Sequence, residues 1–168
     1  MSNLPIEKFE SLMNNYSKML LKIAYSYTKN VQTSEDVVQD AFVKLYKVHK
    51  TFVSDEQIKY WLIRVTINRS LDILKHNKKE IIIDPEYINN LSLDSFSLDK
   101  DEEMRLCVLA LKDIYKTVII LFYYDNYSIN EIAKILNIKE VNVKVRLHRA
   151  RQELKKLIDE RLGNNGKR

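Results

Sequence analysis

The sequence predicts an all-α fold: two small helical domains, an N-terminal helical bundle and a C-terminal helix-turn-helix domain, joined by a flexible acidic linker. Three observations carry that prediction. The 168 residues include only two glycines, Gly163 and Gly166, and two prolines, Pro5 and Pro85. A β-rich fold needs such turn residues at frequent intervals. Apolar residues recur at helical spacing through most of the chain. Charge is segregated: residues 1–79 carry a net +5, 80–103 a net −7, 104–127 a net +1 and 128–168 a net +6. The predicted boundaries are a first domain over 6–79, a linker over 80–103 and a second domain over 104–162.

The first helix is predicted over 6–29, with Phe9, Leu12, Met13, Tyr16, Met19, Leu20, Ile23 and Tyr27 on one broad face. Asn30-Val31-Gln32 reads as a break, and Thr33 to Asp36 resembles a capping box that opens a helix over 34–48. Its apolar positions Val37, Val38, Ala41, Phe42, Leu45 and Tyr46 alternate with Glu35, Asp36, Gln39, Asp40 and Lys44. Residues 49–56 read as a loop. Ser54 and Gln57 offer a further cap for a long helix over 57–77. The stretch 80–98, with Pro85, Asn89-Asn90 and scattered Ser and Asp, reads as linker; Ile81-Ile82-Ile83 is a short apolar run within it. Helices resume at about 99–111 and 113–124, and Gly163 is expected to end the last one.

Residues 128–157 are the most informative. Ser128 and Glu131 have capping-box spacing, and Ile129, Ile132, Ala133 and Leu136 recur helically after them. A turn at Ile138 leads into a strongly basic helix from Lys139 onward. On that helix Val143, Leu147, Ala150, Leu154 and Leu157 form one apolar stripe. At ~100° per residue, Val141, Val145, His148, Arg149 and Gln152 fall opposite. Two helices in this arrangement are the layout of a helix-turn-helix, whose second helix enters the DNA major groove. His148, Arg149 and Gln152 are then offered to base edges, with cations around them for phosphates.

Composition excludes other classes. The single Cys107 forms no disulfide framework and suits a reducing compartment. The three histidines are scattered without metal-ligand spacing, and there is no Gly-rich phosphate loop. No stretch approaches the ~18 apolar residues of a membrane span, and the N-terminus lacks a signal pattern. The expectation is a soluble cytoplasmic protein, not an enzyme, with no cofactor, no metal and no small-molecule substrate.

The N-terminal half carries its own text. One piece is Ser34-Glu35-Asp36-Val37-Val38-Gln39-Asp40-Ala41-Phe42-Val43-Lys44-Leu45-Tyr46; another is Tyr60-Trp61-Leu62-Ile63-Arg64-Val65-Thr66-Ile67-Asn68-Arg69-Ser70-Leu71-Asp72. These two, then the acidic linker, then Val143-Lys144-Val145-Arg146-Leu147-His148-Arg149-Ala150-Arg151, stand in the order seen in the extracytoplasmic-function (ECF) subfamily of bacterial RNA polymerase sigma factors. The resemblance spans roughly residues 10–162.

It implies a region 2 domain over 6–79 and a region 4 domain over 104–162. It implies core RNA polymerase as partner, through the largest-subunit clamp and the β flap, with Asp36, Val38, Gln39, Asp40 and Phe42 on the clamp; the residues alone equally allow a capped surface helix with Phe42 in the core. It implies promoter DNA as the second partner. The −10 element would meet the loop residues His49, Lys50, Thr51 and Phe52 together with Asn68 and Lys75. One base would be turned out of the stack into a protein pocket, at a cost of a few kcal/mol. Lys59, Arg64, Lys78 and Lys79 are further phosphate candidates, and Trp61 is expected in the core. The −35 element would meet Asn142, Lys144, Val145, Arg146, His148, Arg149 and Arg151. The family also implies an anti-sigma factor, often membrane-bound, and control of a stress- or envelope-response regulon. The chain departs from the usual family text where Val141 replaces a small glycine, Asn142 a threonine, Val145 a serine and Lys139 a capping residue. Losing a good N-cap costs ~0.5–2 kcal/mol, which Glu140 offsets in part through the helix dipole. Valine at 145 suits a thymine methyl. These departures alter the promoter text expected, not the function.

Overall fold

The structure is a computed structural model that describes residues 4–76 and 102–165. Within them the regular structure is helical throughout, as the scarcity of glycine and proline predicts. The chain divides into two compact units, Met1–Leu91 and Ser92–Arg168. Most of the linker expected over 80–103, including Ile81-Ile82-Ile83, lies outside the described residues. Its last two positions, Glu102 and Glu103, begin the helix expected over about 99–111.

In the first unit, α1 (Ile6–Thr28), α2 (Val31–Lys47) and α3 (Asp55–His76) pack against one another. Leu12, Leu20 and Ile23 of α1 meet Leu45 of α2 and Leu62, Ile63 and Ile67 of α3 in a fully buried core. Each such side chain contributes roughly 1.5–3 kcal/mol relative to exposure. Met13, expected on the buried face, is exposed. The turn between α1 and α2 is shorter than predicted. Lys29 takes a left-handed conformation, φ 51°, and its N–H reaches the Tyr25 carbonyl at 3.0 Å. The cap is Asn30, not Thr33: Asn30 Oδ1 accepts from the Thr33 backbone N–H at 2.8 Å. Ser34 Oγ fixes the same corner by donating to the Asn30 carbonyl at 2.6 Å. At the start of α3, Ser54 Oγ accepts from the Gln57 N–H at 3.2 Å and Gln57 Oε1 accepts from the Val53 N–H at 2.8 Å.

The second unit comprises α4 (Glu102–Ala110), α5 (Asp113–Ile119), a π-helical turn (Ile120–Tyr124), α6 (Ile129–Leu136) and α7 (Glu140–Asn165). The helix predicted over 113–124 therefore widens in its last turn, where the Asp125 N–H bonds the Ile120 carbonyl at 3.0 Å. The consecutive residues Ile119, Ile120 and Leu121 are all buried there. The capping box at Ser128 forms as predicted. Ser128 Oγ accepts from the Glu131 N–H at 3.1 Å, and Glu131 Oε2 accepts from the Ser128 N–H at 2.9 Å.

Asn137 ends α6 in a left-handed conformation, φ 55°, and the Ile138 N–H bonds the Ala133 carbonyl at 3.0 Å. This is the usual glycine stop made with asparagine, whose short polar side chain tolerates that region. Gly163 does not end α7, which continues to Asn165. A glycine stop of the kind expected uses the left-handed turn that Asn137 makes, and Gly163 has no positive φ.

Candidate nucleic-acid interface

The geometry of α7 follows its stripe. Val143, Leu147 and Ala150 are buried, and with Ile132, Ala133 and Ile135 of α6 they form the core of the helix pair. Leu154 and Leu157 are half-buried. The stripe fixes which side faces out: Val141, Asn142, Lys144, Val145, His148, Arg149 and Gln152 are exposed, and Arg146 is half-buried. Val145 stands 40% exposed, an apolar side chain in a cationic surface.

Arg151 belongs to a different environment from its neighbours. Its Nε donates to Tyr123 Oη at 2.7 Å, and its guanidinium carbon lies 5.8 Å and 5.6 Å from the centroids of Phe122 and Tyr123. The two rings meet edge to face at 4.9 Å. Sequence reasoning missed this cradle because it depends on the π turn. Beside it runs a groove of about 360 Å³ lined by Met104, Val108, Ile119, Leu154 and Ile158, with Tyr123, Tyr124, Arg151 and Lys155 completing it.

In the first unit His49, Lys50 and Thr51 are exposed and Phe52 is half-buried. Phe52 packs edge-on against Trp61 at 5.7 Å, and Lys50 Nζ lies 5.6 Å from the Phe52 ring centroid. Trp61, expected in the core, is half-buried. Lys50, Thr51, Phe52 and Val53 line a cavity of about 210 Å³ with Leu4 and Lys8 of the opposite wall. The wall is pinned by Lys8 Nζ, 2.6 Å from Asp55 Oδ2. Burial first, and then the Asp55 carboxylate, push the nearby Tyr16 phenol above its ordinary pKa. Asn68 and Lys75 are both exposed on α3, and Lys78 and Lys79 lie outside the described residues.

The residues expected on the polymerase clamp separate into two groups. Asp36 and Gln39 are exposed, and Asp40 is half-buried beside Arg69. Val38 and Phe42, carried to the clamp by the resemblance, are core residues. Phe42 is only 3% exposed and packs edge-on against Phe9 at 6.1 Å. The apolar side chains that do reach the surface of α2 are Val43 and Tyr46, the latter 45% exposed and 5.7 Å from the Phe9 ring centroid. The helical spacing that puts Val38, Phe42 and Leu45 on one buried face leaves Val43 and Tyr46 on its edge. Among the described residues no cluster of His, Cys, Asp and Glu is arranged to hold a metal ion.

A basic helix exposed on a folded helix-turn-helix has the architecture of a DNA-binding protein. The family models for Sigma-70 region 2 and Sigma-70, region 4 match residues 12–80 and 101–154. The ECF sigma factor SigM of Bacillus subtilis (strain 168) is 30% identical over 156 residues, covering 90% of this chain and 93% of its own. Sigma factor SigV of the same organism is 30% identical over 138 residues, covering 82% and 83%. The solved structure of CnrH in complex with the cytosolic domain of CnrY covers 93% of this chain and 90% of its own, at TM-score 0.68 and 22% identity. The chain belongs to the ECF sigma factors of bacterial RNA polymerase. Sigma factors are transcription initiation subunits: they bind core polymerase and direct it to promoter DNA.

Proposed function

We propose that this sigma factor divides its promoter between its two units. The −35 element lies against Lys144, Val145, His148 and Arg149 of α7, with Asn142 and Arg146 toward the sugar-phosphate backbone. The −10 element lies against the loop His49–Phe52 and against Asn68 and Lys75 of α3. The cavity beside Phe52 receives one unstacked base, and Lys50 neutralises phosphate at its mouth. The domains run over 6–79 and 104–162, with the acidic segment 80–103 between them.

Core polymerase is held by Asp36, Gln39 and Asp40, whose carboxylates steer the encounter, while Val43 and Tyr46 supply apolar anchorage in place of Val38 and Phe42. The apolar groove between α4 and α7 seats the β flap. The protein is not an enzyme; it acts in the cytoplasm. An anti-sigma factor restrains it, as the solved complex of RpoE with the anti-sigma factor NepR from Bartonella quintana suggests, and that partner can hold it at the membrane. No helix among the described residues is itself long and apolar enough to cross one. Release starts transcription of a stress- or envelope-response regulon.

The observation that carries the DNA reading is the exposed row Lys144, Val145, His148 and Arg149 on a helix that buries Val143, Leu147 and Ala150. Run-off transcription with purified core polymerase tests it. The expected result is a defined transcript from one asymmetric promoter only when this protein is added. Tight binding to a palindrome without polymerase would instead mark an ordinary dimeric regulator.

A further inference from the structure

The helix-turn-helix is bridged by a side-chain pair that the scheme above does not use. Asn130, in the first turn of α6, donates from Nδ2 to Oε1 of Glu140, the first residue of α7, at 2.7 Å. Both side chains are exposed. Residues four apart on a helix stand in one row, so Glu140 heads the row that continues through Lys144 and His148. Residues near the start of a recognition helix are those that reach base edges.

A carboxylate in that position is repelled by phosphate, so its favourable partner on DNA is a hydrogen-bond donor. The major groove offers two, the exocyclic amines of cytosine and adenine. Adenine presents the N7 acceptor beside its amine, which suits an amide and repels a carboxylate. Cytosine presents N4–H₂ without that acceptor and is the base that Glu and Asp read. Asn130 occupies one carboxylate oxygen and leaves the other free. It also holds the side chain in one arrangement before DNA arrives, which lowers the ordering cost of binding.

We propose that Glu140, positioned by Asn130, reads the N4 amine of a cytosine in the −35 element. The inference rests on the promoter-reading function proposed above and names one base of its target.

The test is competitive transcription by the reconstituted holoenzyme from a library randomised across the −35 element, with melting temperatures measured alongside. The wild type is expected to prefer cytosine at one position by about tenfold or more. Glu140→Gln keeps an acceptor for Asn130 but moves the preference at that position toward adenine, whose N6 and N7 pair with an amide. Asn130→Ala keeps the cytosine preference and reduces it several-fold. A uniform fall across all library members with unchanged base preference, accompanied by a lower melting temperature, makes Glu140 a helix-dipole partner only and overturns the proposal. A specific transcript with no cytosine preference anywhere in the element overturns it too and leaves the sigma function standing. If wild-type holoenzyme yields no specific transcript, both readings fall together.

Discussion

Arg69 Nε of α3 donates to Asp40 Oδ2 of α2 at 3.0 Å, joining the helix proposed to meet polymerase to the helix proposed to meet the −10 element. Both side chains are nearly half exposed. Solvent screening limits such a pair to ~0–1 kcal/mol of stability. Its interest is therefore functional. Arg69→Ala is expected to lower the melting temperature only slightly and to leave core polymerase affinity intact or higher, because Asp40 is freed. Asp40→Ala should cost the same small stability but weaken polymerase binding several-fold, as fluorescence anisotropy with core enzyme would report. Equal affinity in both variants would remove Asp40 from the interface.

Arg149 and Arg151 are two residues apart and are expected to differ in their response to salt. Both are exposed, but Arg149 stands in the proposed base-facing row, whereas Arg151 is engaged by Tyr123 and lies against the Phe122 and Tyr123 rings. Arg149→Ala should relax base preference at one −35 position by ~1–3 kcal/mol. Arg151→Ala should leave the salt dependence of DNA binding unchanged and lower stability through lost packing against the rings. The logarithmic salt slope of binding to a −35 duplex distinguishes them. A slope reduced by about one in the Arg151 variant would show that this guanidinium contacts phosphate after all.

The capping box at Ser128 fixes where α6 begins and so where α7 is presented. Ser128→Ala removes the acceptor for the Glu131 N–H and is expected to destabilise the second unit by ~0.5–2 kcal/mol. Leu147→Ala, in the fully buried stripe, should cost ~2–5 kcal/mol. Urea unfolding followed by far-UV circular dichroism gives both values. A larger loss for the cap than for the core residue would mean that the turn, not the stripe, holds the two helices together.

What is legible in the sequence is what is local. Ser128 and Glu131 are three residues apart, and their reciprocal bonds need nothing from elsewhere. The stripe Val143, Leu147, Ala150 likewise follows from helical geometry, and it leaves Lys144, His148 and Arg149 exposed. The misreadings occur where spacing leaves a choice open between neighbours or where another segment decides. Asn30 and Thr33 are both acceptable caps, and the choice falls to Asn30 because its carbonyl also receives the Ser34 hydroxyl. Phe42 reads equally as an anchor beside acids or as a core residue until Phe9 of α1 settles it in the core. Arg151 reads as one more cation of a basic helix until the π turn brings up Tyr123. Gly163 looks like a stop because glycine usually is one, yet no left-handed turn forms there.

Lys116 gives the fold a pH dependence whose sign can be worked out. Its side chain is 8% exposed and lies 3.8 Å from Asp113. Burial lowers its pKa below the ordinary 10.5, and Asp113 opposes that only in part. Below that lowered value the lysine is charged in both folded and unfolded chains, and the folded state bears the cost of a buried cation. As pH rises through the lowered folded value, the folded chain releases a proton that the unfolded chain still holds. Stability contributed by this group therefore increases with pH up to the unfolded value of 10.5 and is level above it. Tyr16 works in the opposite sense. Its raised pKa means that the folded chain keeps a proton lost by the unfolded one from 10.0 upward, so its contribution declines there. Lys116→Met in a Tyr16→Phe background separates the two. Measured by urea unfolding at a series of alkaline pH values, the double variant should lack the rise that Tyr16→Phe alone retains. The methionine should also stabilise the protein below the lowered folded value, where it removes a buried charge and keeps the aliphatic packing. A parallel pH profile for the two proteins would show that Lys116 stays solvated in the folded state.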